Sequence, residues 1–170
     1  MSLAQDLLNE LRQEASVTRR FLEQVPFDKL DYRPDEKSEF LGRLAVHVAE
    51  ILGWWKSCLT QDELDFIDFA AKEFATKEQL LSYFDDLLAE AEDVLQNAED
   101  EDFNAEWSMR YGETVYFTLP KKQVVRTFCL NHWIHHRSQL GTYFRNLGIK
   151  VPATYGPSAD DDEVILINRL

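Results

Sequence analysis

The longest helical pattern in the chain is residues 120–148, PKKQVVRTFCLNHWIHHRSQLGTYFRNLG, which contains three of the four histidines of the protein. Pro120 suits the first turn of a helix, and Gly148 suits the position just beyond the last turn. At about 100° per residue, His132 and His136 fall within about 20° of the centre of the apolar stripe. The pattern predicts a helix over residues 120–147 that carries two histidines on its core-facing side.

Three other segments have apolar residues at spacings of three and four, and they predict helices over residues 2–24, 38–59 and 76–98. Ser38 is a candidate N-cap for the second of these helices. Thr76, with Gln79 three residues later, has the capping-box pattern for the third. Four amphipathic helices in one chain of this length favour an all-α fold, a four-helix bundle that forms a single domain over residues 1–170.

The connections between the helices are less regular. Residues 60–75 are compatible with a short helix or an ordered loop. Between the third and fourth helices, the β-prone run at 115–118 follows the turn candidate Tyr111-Gly112, which predicts a short β-hairpin. The tail from Val151 to Leu170 is expected to be mostly irregular.

Composition and charge exclude several functional classes. The 170 residues include 18 Lys and Arg against 31 Asp and Glu, a formal net charge of -13. A negative field of this size repels phosphate backbones and anionic lipids, so neither a nucleic acid nor a membrane is expected as a partner. The sequence has no apolar run long enough to span a bilayer and no signal-like core, and its two cysteines form no CxxC pair. These features predict a soluble, cytoplasmic protein with reduced thiols.

The fourth histidine, His47, lies in an otherwise apolar stripe of the second predicted helix. A pair of histidines at positions i and i+4 projects two imidazoles to one side, a spacing used for two ligands of one metal ion. His47 is the candidate third ligand to the pair His132 and His136. Three neutral imidazoles suit Zn²⁺, Ni²⁺, Fe²⁺ or Cu²⁺, and they leave one coordination position open for water or substrate. The alternative is that all three are hydrogen-bonded core histidines with no metal.

Other residues near this pattern have two interpretations each. Cys129 is either a fourth ligand or a small buried apolar residue, and His135 falls at the edge of the stripe, where a surface position is expected. Glu50 and Gln139, each three residues after a candidate ligand, are either partners that orient the imidazoles or ordinary polar surface residues. No GxSxG motif and no glycine-rich phosphate loop is present, which argues against serine hydrolases, kinases and nucleotide-binding proteins.

The run Asn131-His132-Trp133-Ile134-His135-His136-Arg137-Ser138-Gln139-Leu140 resembles the HxxHHRxQL signature of the DinB (damage-inducible) superfamily. The continuation at 143–148, the residues 151–160 and the upstream Tyr32-Arg33-Pro34 are also similar to that family, so the resemblance covers nearly the whole chain. One departure is Ser138, where glycine is usual. Because Ser138 is predicted to face away from the histidine stripe, we expect little consequence.

The resemblance implies a DinB-type four-helix bundle, commonly dimeric, in which His47, His132 and His136 hold a divalent metal such as Zn, Ni or Fe. It also implies one of two activities: S-transfer of a low-molecular-weight thiol such as bacillithiol or mycothiol, favoured first, or metal-dependent hydrolysis. Arg126, Arg137 and Arg145 are candidates to bind the carboxylates of such a thiol. The alternative function is that of a non-catalytic metal- or ligand-binding protein in a stress response. A helical interaction module without metal is a third possibility.

A second copy of the chain is an expected partner. Leu130, Trp133 and Ile134 lie on the side of the fourth helix away from the histidines, and a helix that is apolar on nearly all sides must be covered on all sides. Either residues 60–75 and the tail cover this face, or a homodimer does.

Overall fold

A computed structural model describes residues 2–161, and its helices lie close to the predicted positions. Helix α1 spans Leu3–Gln24, α2 spans Leu41–Thr60 and α3 spans Lys77–Asn97. The fourth helix is made of three parts: α4 (Lys121–Val124), a π-helical segment (Val125–Asn131) and α5 (His132–Asn146). Together these elements form the predicted four-helix bundle.

The bundle places consecutive helices α1 and α2 across from each other rather than side by side. Helix α1 packs against α3 and α5, and α2 packs against the same two helices from the other side. The core between them is formed by fully buried residues from every helix, including Leu11, Leu52, Phe84 and Phe144. As a result α2, which carries His47, lies directly against α5, which carries the other two histidines.

The two predicted N-caps have different outcomes. The capping box of α3 is confirmed, since the hydroxyl of Thr76 accepts a hydrogen bond from the backbone of Gln79, and the Gln79 side chain accepts one from the backbone of Thr76. Ser38 as the N-cap of α2 is wrong, because the helix begins at Leu41 without a side-chain cap. The first backbone N–H groups of α2 donate instead to loop carbonyls, Leu41 to Tyr32 at 2.8 Å and Gly42 to Leu30 at 2.9 Å. These long-range bonds satisfy the donors that a cap would otherwise serve.

At its C-terminus the fourth helix ends as predicted. Gly148 adopts a φ of 70°, and the backbone N–H of Ile149 donates to the carbonyl of Phe144 at 2.9 Å. This left-handed position after the last turn is one that glycine occupies without steric cost.

The predicted hairpin is confirmed and belongs to a three-stranded sheet. Strands β2 (Glu106–Tyr111) and β3 (Thr114–Pro120) pair antiparallel, and Gly112 at the turn has a φ of 54°. Strand β1 (Glu63–Asp65) lies within residues 60–75 and pairs parallel to β2. The short helix that was one of the two possibilities for residues 60–75 does not form. A three-residue strand carries too short a pattern to be recognised, and its pairing depends on a partner more than 40 residues away in sequence.

The apolar face of the fourth helix is covered by the chain's own helices. Leu130 and Trp133 are fully buried, and the indole N–H of Trp133 donates to the carbonyl of Val48 on α2 at 2.8 Å. Helix α3 contributes Phe84, whose ring centroid lies 6.3 Å from that of Trp133. Leu130 and Trp133 therefore do not require a second copy, whereas Ile134 is only partly buried, and the homodimer stays a prediction.

Two further expectations concern the tail and membranes. Residues 151–161 contain no helix or strand, in agreement with the irregular tail, whereas residues 162–170 lie outside the described residues. Among residues 2–161, no helix is long and apolar enough to cross a membrane.

Candidate metal centre

The three predicted ligands come together between α2 and α5. His47 lies in the middle of α2, and His132 and His136 occupy the first and second turns of α5. The Nε2 atoms of His47 and His132 are 3.2 Å apart, and one ring nitrogen from each of the three residues lies within 4.8 Å of the other two. The i, i+4 spacing selected the pair on α5, and helix packing supplies the third.

The other two candidates from the sequence do not join this cluster. The His135 side chain is exposed on the outer side of α5. Cys129 is completely buried, outside the group of side chains that could share one ion, and beside Cys58. Cys129 falls in the π-helical segment, where each residue turns through a smaller angle than in an α-helix, so the 100° wheel places it wrongly relative to His132.

Two of the three imidazoles have an oxygen partner on the ring nitrogen that faces away from the cluster. His136 Nδ1–H donates to Gln139 Oε1 at 2.7 Å. His47 Nδ1 lies 3.9 Å from the Glu50 carboxylate, close enough for electrostatic attraction but longer than a hydrogen bond. Both partners are three residues after the histidine that they face. A proton held on Nδ1 leaves Nε2 free as a ligand, which is the usual function of such partners in metal sites.

Glu50 is a buried carboxylate held in place by several groups. The Arg43 guanidinium donates to its Oε2 at 2.8 Å, and the backbone N–H of Lys72 donates to its Oε1 at 3.3 Å. Burial alone would raise the pKa of Glu50, but the adjacent His47 and Arg43 outweigh it and hold the pKa below its ordinary value. Glu50 is therefore an anion that faces both a candidate ligand and a basic side chain.

An aromatic wall closes one side of the cluster. The rings of Trp54 and Phe128 each lie with their centroids 5.2 Å from that of His132, and they stack on each other. Burial, followed by repulsion from His136, His47 and His135, lowers the pKa of His132 from 6.5 to about 4. Burial also lowers the pKa of His136. Both rings are thus neutral at physiological pH, as metal ligation requires.

The cluster also opens onto a cleft of about 580 Å³. His47 and His136 form part of its wall, and the remainder is mostly polar: Lys37, Ser38, Glu39, Arg43, Leu44, Gln139, Thr142 and Tyr143. A small molecule could therefore reach the cluster through this cleft, and no other His, Cys, Asp or Glu within residues 2–161 joins the group of candidate ligands. The arrangement has the open position that distinguishes catalytic metal sites from closed structural ones.

The donor set fits a borderline divalent transition metal. Imidazole nitrogens suit Zn²⁺, Ni²⁺, Fe²⁺ and Cu²⁺, whereas Mg²⁺ and Ca²⁺ prefer oxygen ligands. Two nitrogens bound at 2.0–2.1 Å with a tetrahedral angle are about 3.3 Å apart. The 3.2 Å between the Nε2 atoms of His47 and His132 agrees with that spacing.

The three arginines proposed for a thiol cofactor are all engaged within the chain. Arg126 pairs with Glu10 at 2.8 Å and Arg145 with Asp160 at 2.8 Å. Arg137 is buried and pairs with Glu14 at 2.6 Å. None of the three lines the cleft beside the histidines. Instead the cleft has Lys37 and Arg43, to which the sequence assigned no binding role, because their proximity to the cluster depends on how the chain before α2 folds.

Comparison with known proteins supports the same fold. A DinB-like protein from Bacillus subtilis, YjoA, superposes with a TM-score of 0.64 at 16% identity, covering 85% of this chain and 93% of that chain. A DinB-like protein from Bacillus cereus gives a TM-score of 0.65 at 19% identity, covering 88% and 95%. YfiT from Bacillus subtilis, described as a probable metal-dependent hydrolase with an unusual four-helix bundle topology, gives 0.62 at 13% identity, covering 86% and 89%.

At these identities the structural matches show the fold alone. No curated protein matches the sequence. The model of the DinB family, in contrast, matches residues 1–169. Because that match extends over almost the entire sequence, the chain belongs to the DinB family.

Proposed function

We propose that this protein is a metal-dependent enzyme whose divalent metal is held by His47, His132 and His136. The observation that carries the proposal is the convergence of three imidazoles, of which His47 and His136 also line an open cleft. Family membership and the description of YfiT as a probable metal-dependent hydrolase support it. Hydrolysis is the reaction we favour, since YfiT, which shares the fold, is described as a probable metal-dependent hydrolase.

A divalent ion in such a site supplies Lewis acidity, which polarises a substrate carbonyl and lowers the pKa of a bound water or thiol. The protein's own residues provide the rest. Gln139 and Glu50 orient two of the imidazoles, and the stacked rings of Trp54 and Phe128 exclude water from the rear of the site. The cleft admits substrate from the front and positions it with polar side chains.

Metal analysis of the purified protein is the first test. The wild type, loaded with zinc, nickel or iron and then dialysed, should retain about one ion per chain, and a His132→Ala/His136→Ala variant should retain none. His135→Ala is the matched control, because it removes a histidine from the same helix but outside the cluster, and it should bind like the wild type. Retention of metal by the double variant, or none in the wild type, would overturn the proposal.

An activity screen distinguishes the two chemistries. The metal-loaded protein is assayed on ester, amide and epoxide substrates, first with water alone and then with bacillithiol or mycothiol. Turnover without thiol identifies a hydrolase. Turnover that requires the thiol identifies an S-transferase. Stoichiometric metal without turnover in either arm would favour the alternative function, a non-catalytic metal- or ligand-binding protein in a stress response.

A further inference from the structure

The wall of the cleft beside the histidines has more basic than acidic side chains, although the chain as a whole is strongly acidic. The wall includes Lys37 and Arg43 against a single carboxylate, Glu39. One oxygen of Glu39 already accepts a hydrogen bond from the backbone of Phe40 at 2.9 Å. Glu50 balances the charge of Arg43 from behind the wall, so cations and carboxylates around the cleft are equal in number in a chain whose net charge is -13.

Arg43 is placed at a defined distance from the histidines. It precedes His47 by four residues on α2, so the two side chains leave the helix on the same face with their Cβ atoms about 6 Å apart. The guanidinium is fixed at two points. One terminal nitrogen donates to Glu50 at 2.8 Å, and the ring centroid of Phe69 lies 5.8 Å from the guanidinium carbon.

This anchoring leaves donors available. A guanidinium has five N–H donors, and within residues 2–161 the only hydrogen bond made by the Arg43 side chain is the one to Glu50. Lys37, in the loop before α2, forms no ion pair with any described carboxylate. Hydroxyl groups of Ser38 and Thr142 add further donors at the same wall. Such a combination of a fixed guanidinium, a flexible ammonium and hydroxyls binds carboxylates and phosphates well.

We propose that the cleft selects substrates that bear an oxyanion, either a carboxylate or a phosphate, about one helical turn from the reacting group. Arg43 and Lys37 are the residues that bind this oxyanion. The inference rests on the proposed metal-dependent function and adds the substrate class to it. Glu50 connects the two parts, since the same carboxylate holds Arg43 and faces His47. The position of the anion is thereby tied to the position of the metal.

A pair of matched probes tests the proposal by equilibrium binding. The protein is loaded with Co²⁺, whose absorption reports a thiolate ligand, and titrated with 3-mercaptobenzoate and with 3-mercaptobenzamide. The two probes have the same shape and differ in charge, and the meta arrangement prevents one ion from binding both groups. The wild type should bind the carboxylate probe about tenfold more tightly, a difference of about 1.4 kcal/mol.

Variants identify the residues responsible. In Arg43→Gln the ratio of the affinity for the carboxylate probe to that for the amide probe should fall close to one. Lys37→Gln, an exposed position whose replacement leaves the core intact, should lose part of the preference. Lys150→Gln, an equally exposed lysine outside the cleft, is the control and should behave as the wild type.

The outcomes separate this inference from the proposed function. Failure of Co²⁺ to bind contradicts the metal site itself. Binding of Co²⁺ and of both probes with equal affinity contradicts only the selection of an oxyanion. A preference that survives in both Arg43→Gln and Lys37→Gln contradicts the assignment of these two residues. Phosphate and a monocarboxylate such as benzoate, used as competitors of the carboxylate probe, show which oxyanion the cleft prefers.

Discussion

A histidine that binds a metal through one ring nitrogen depends on what the other nitrogen contacts. In this protein His136 donates from Nδ1 to Gln139 at 2.7 Å, which fixes both the ring orientation and the position of its proton. Replacing Gln139 with leucine removes the acceptor and keeps the side-chain volume similar. Loss of such a partner lowers metal affinity by about 10–100-fold. Competition with a chromogenic chelator measures the change.

The control for this prediction is Gln123→Leu. Gln123 lies on the same helix, its side chain is exposed and it is outside the cluster. If Gln139→Leu and Gln123→Leu bind zinc with equal affinity, Gln139 is an ordinary surface residue rather than an orienting partner.

The lowered pKa of His132 makes stability depend on pH. The folded chain protonates His132 near pH 4 and the unfolded chain near 6.5, so protons bind the unfolded state first. The free energy of unfolding of metal-free protein should therefore decrease as the pH falls from about 6.5 to about 4. Because the ring is only half-buried, solvent screening reduces the effect to about 1 kcal/mol.

Urea denaturation in the presence of a chelator, at several pH values between 7.5 and 4, measures this dependence. Carboxylates also titrate in part of this range, so the informative quantity is the difference between the wild type and His132→Gln, which has no imidazole at that position. The wild type should lose more stability than the variant across the window. Parallel curves would show that His132 contributes nothing to it.

At the scale of the elements, the sequence predicts the positions of the helices, because short-range patterns of apolar and capping residues determine them. The apolar spacings located all four helices within a few residues, and Thr76 with Gln79 located the start of α3. The features in which the structure differs from the prediction are determined by long-range contacts. Three features depend on neighbours that are distant in sequence. They are the loop carbonyls that accept the first hydrogen bonds of α2, the pairing of β1 with β2, and the π-helical segment. The same distinction applies to the site, where helical spacing selects His132 and His136, whereas the positions of Lys37 and Arg43 beside them depend on the fold.

A buried ion pair joins α1, α5 and the segment after α5. Arg137 donates to Glu14 at 2.6 Å and to Tyr155 at 2.8 Å, and it is almost completely buried. Arg137→Met leaves the Glu14 carboxylate buried without a cation, which should cost about 3–5 kcal/mol of unfolding free energy. Urea unfolding at neutral pH measures the loss.

Two comparisons make this prediction specific. Glu14→Leu combined with Arg137→Met removes both charges and should recover much of the stability. Arg126→Met breaks a solvent-exposed pair with Glu10 and should cost no more than about 1 kcal/mol. If Arg137→Met is no more harmful than Arg126→Met, the buried pair does not hold these elements together.

At the scale of the whole molecule, the exposed apolar residues of the described chain concentrate around the hairpin. Tyr111, Val115 and Tyr116 are each more than half exposed, as is Ile67, which lies against Gly112 at the turn. Strand β3 is an edge of the sheet and has no charged residue. An uncharged edge next to an apolar patch favours association with another chain.

We therefore expect the homodimer to form through this patch. Tyr116→Glu adds a charge on each copy at the centre of the contact, so it should shift the sedimenting species from twice the 19.9 kDa chain mass to a single chain mass while leaving metal content unchanged. Because each copy has a net charge of -13, screening by salt should strengthen the wild-type dimer. Sedimentation equilibrium at low and high salt measures both effects. A wild type that sediments as one chain at high salt would exclude the dimer, and a dimer that persists in Tyr116→Glu would place its interface on another face of the bundle.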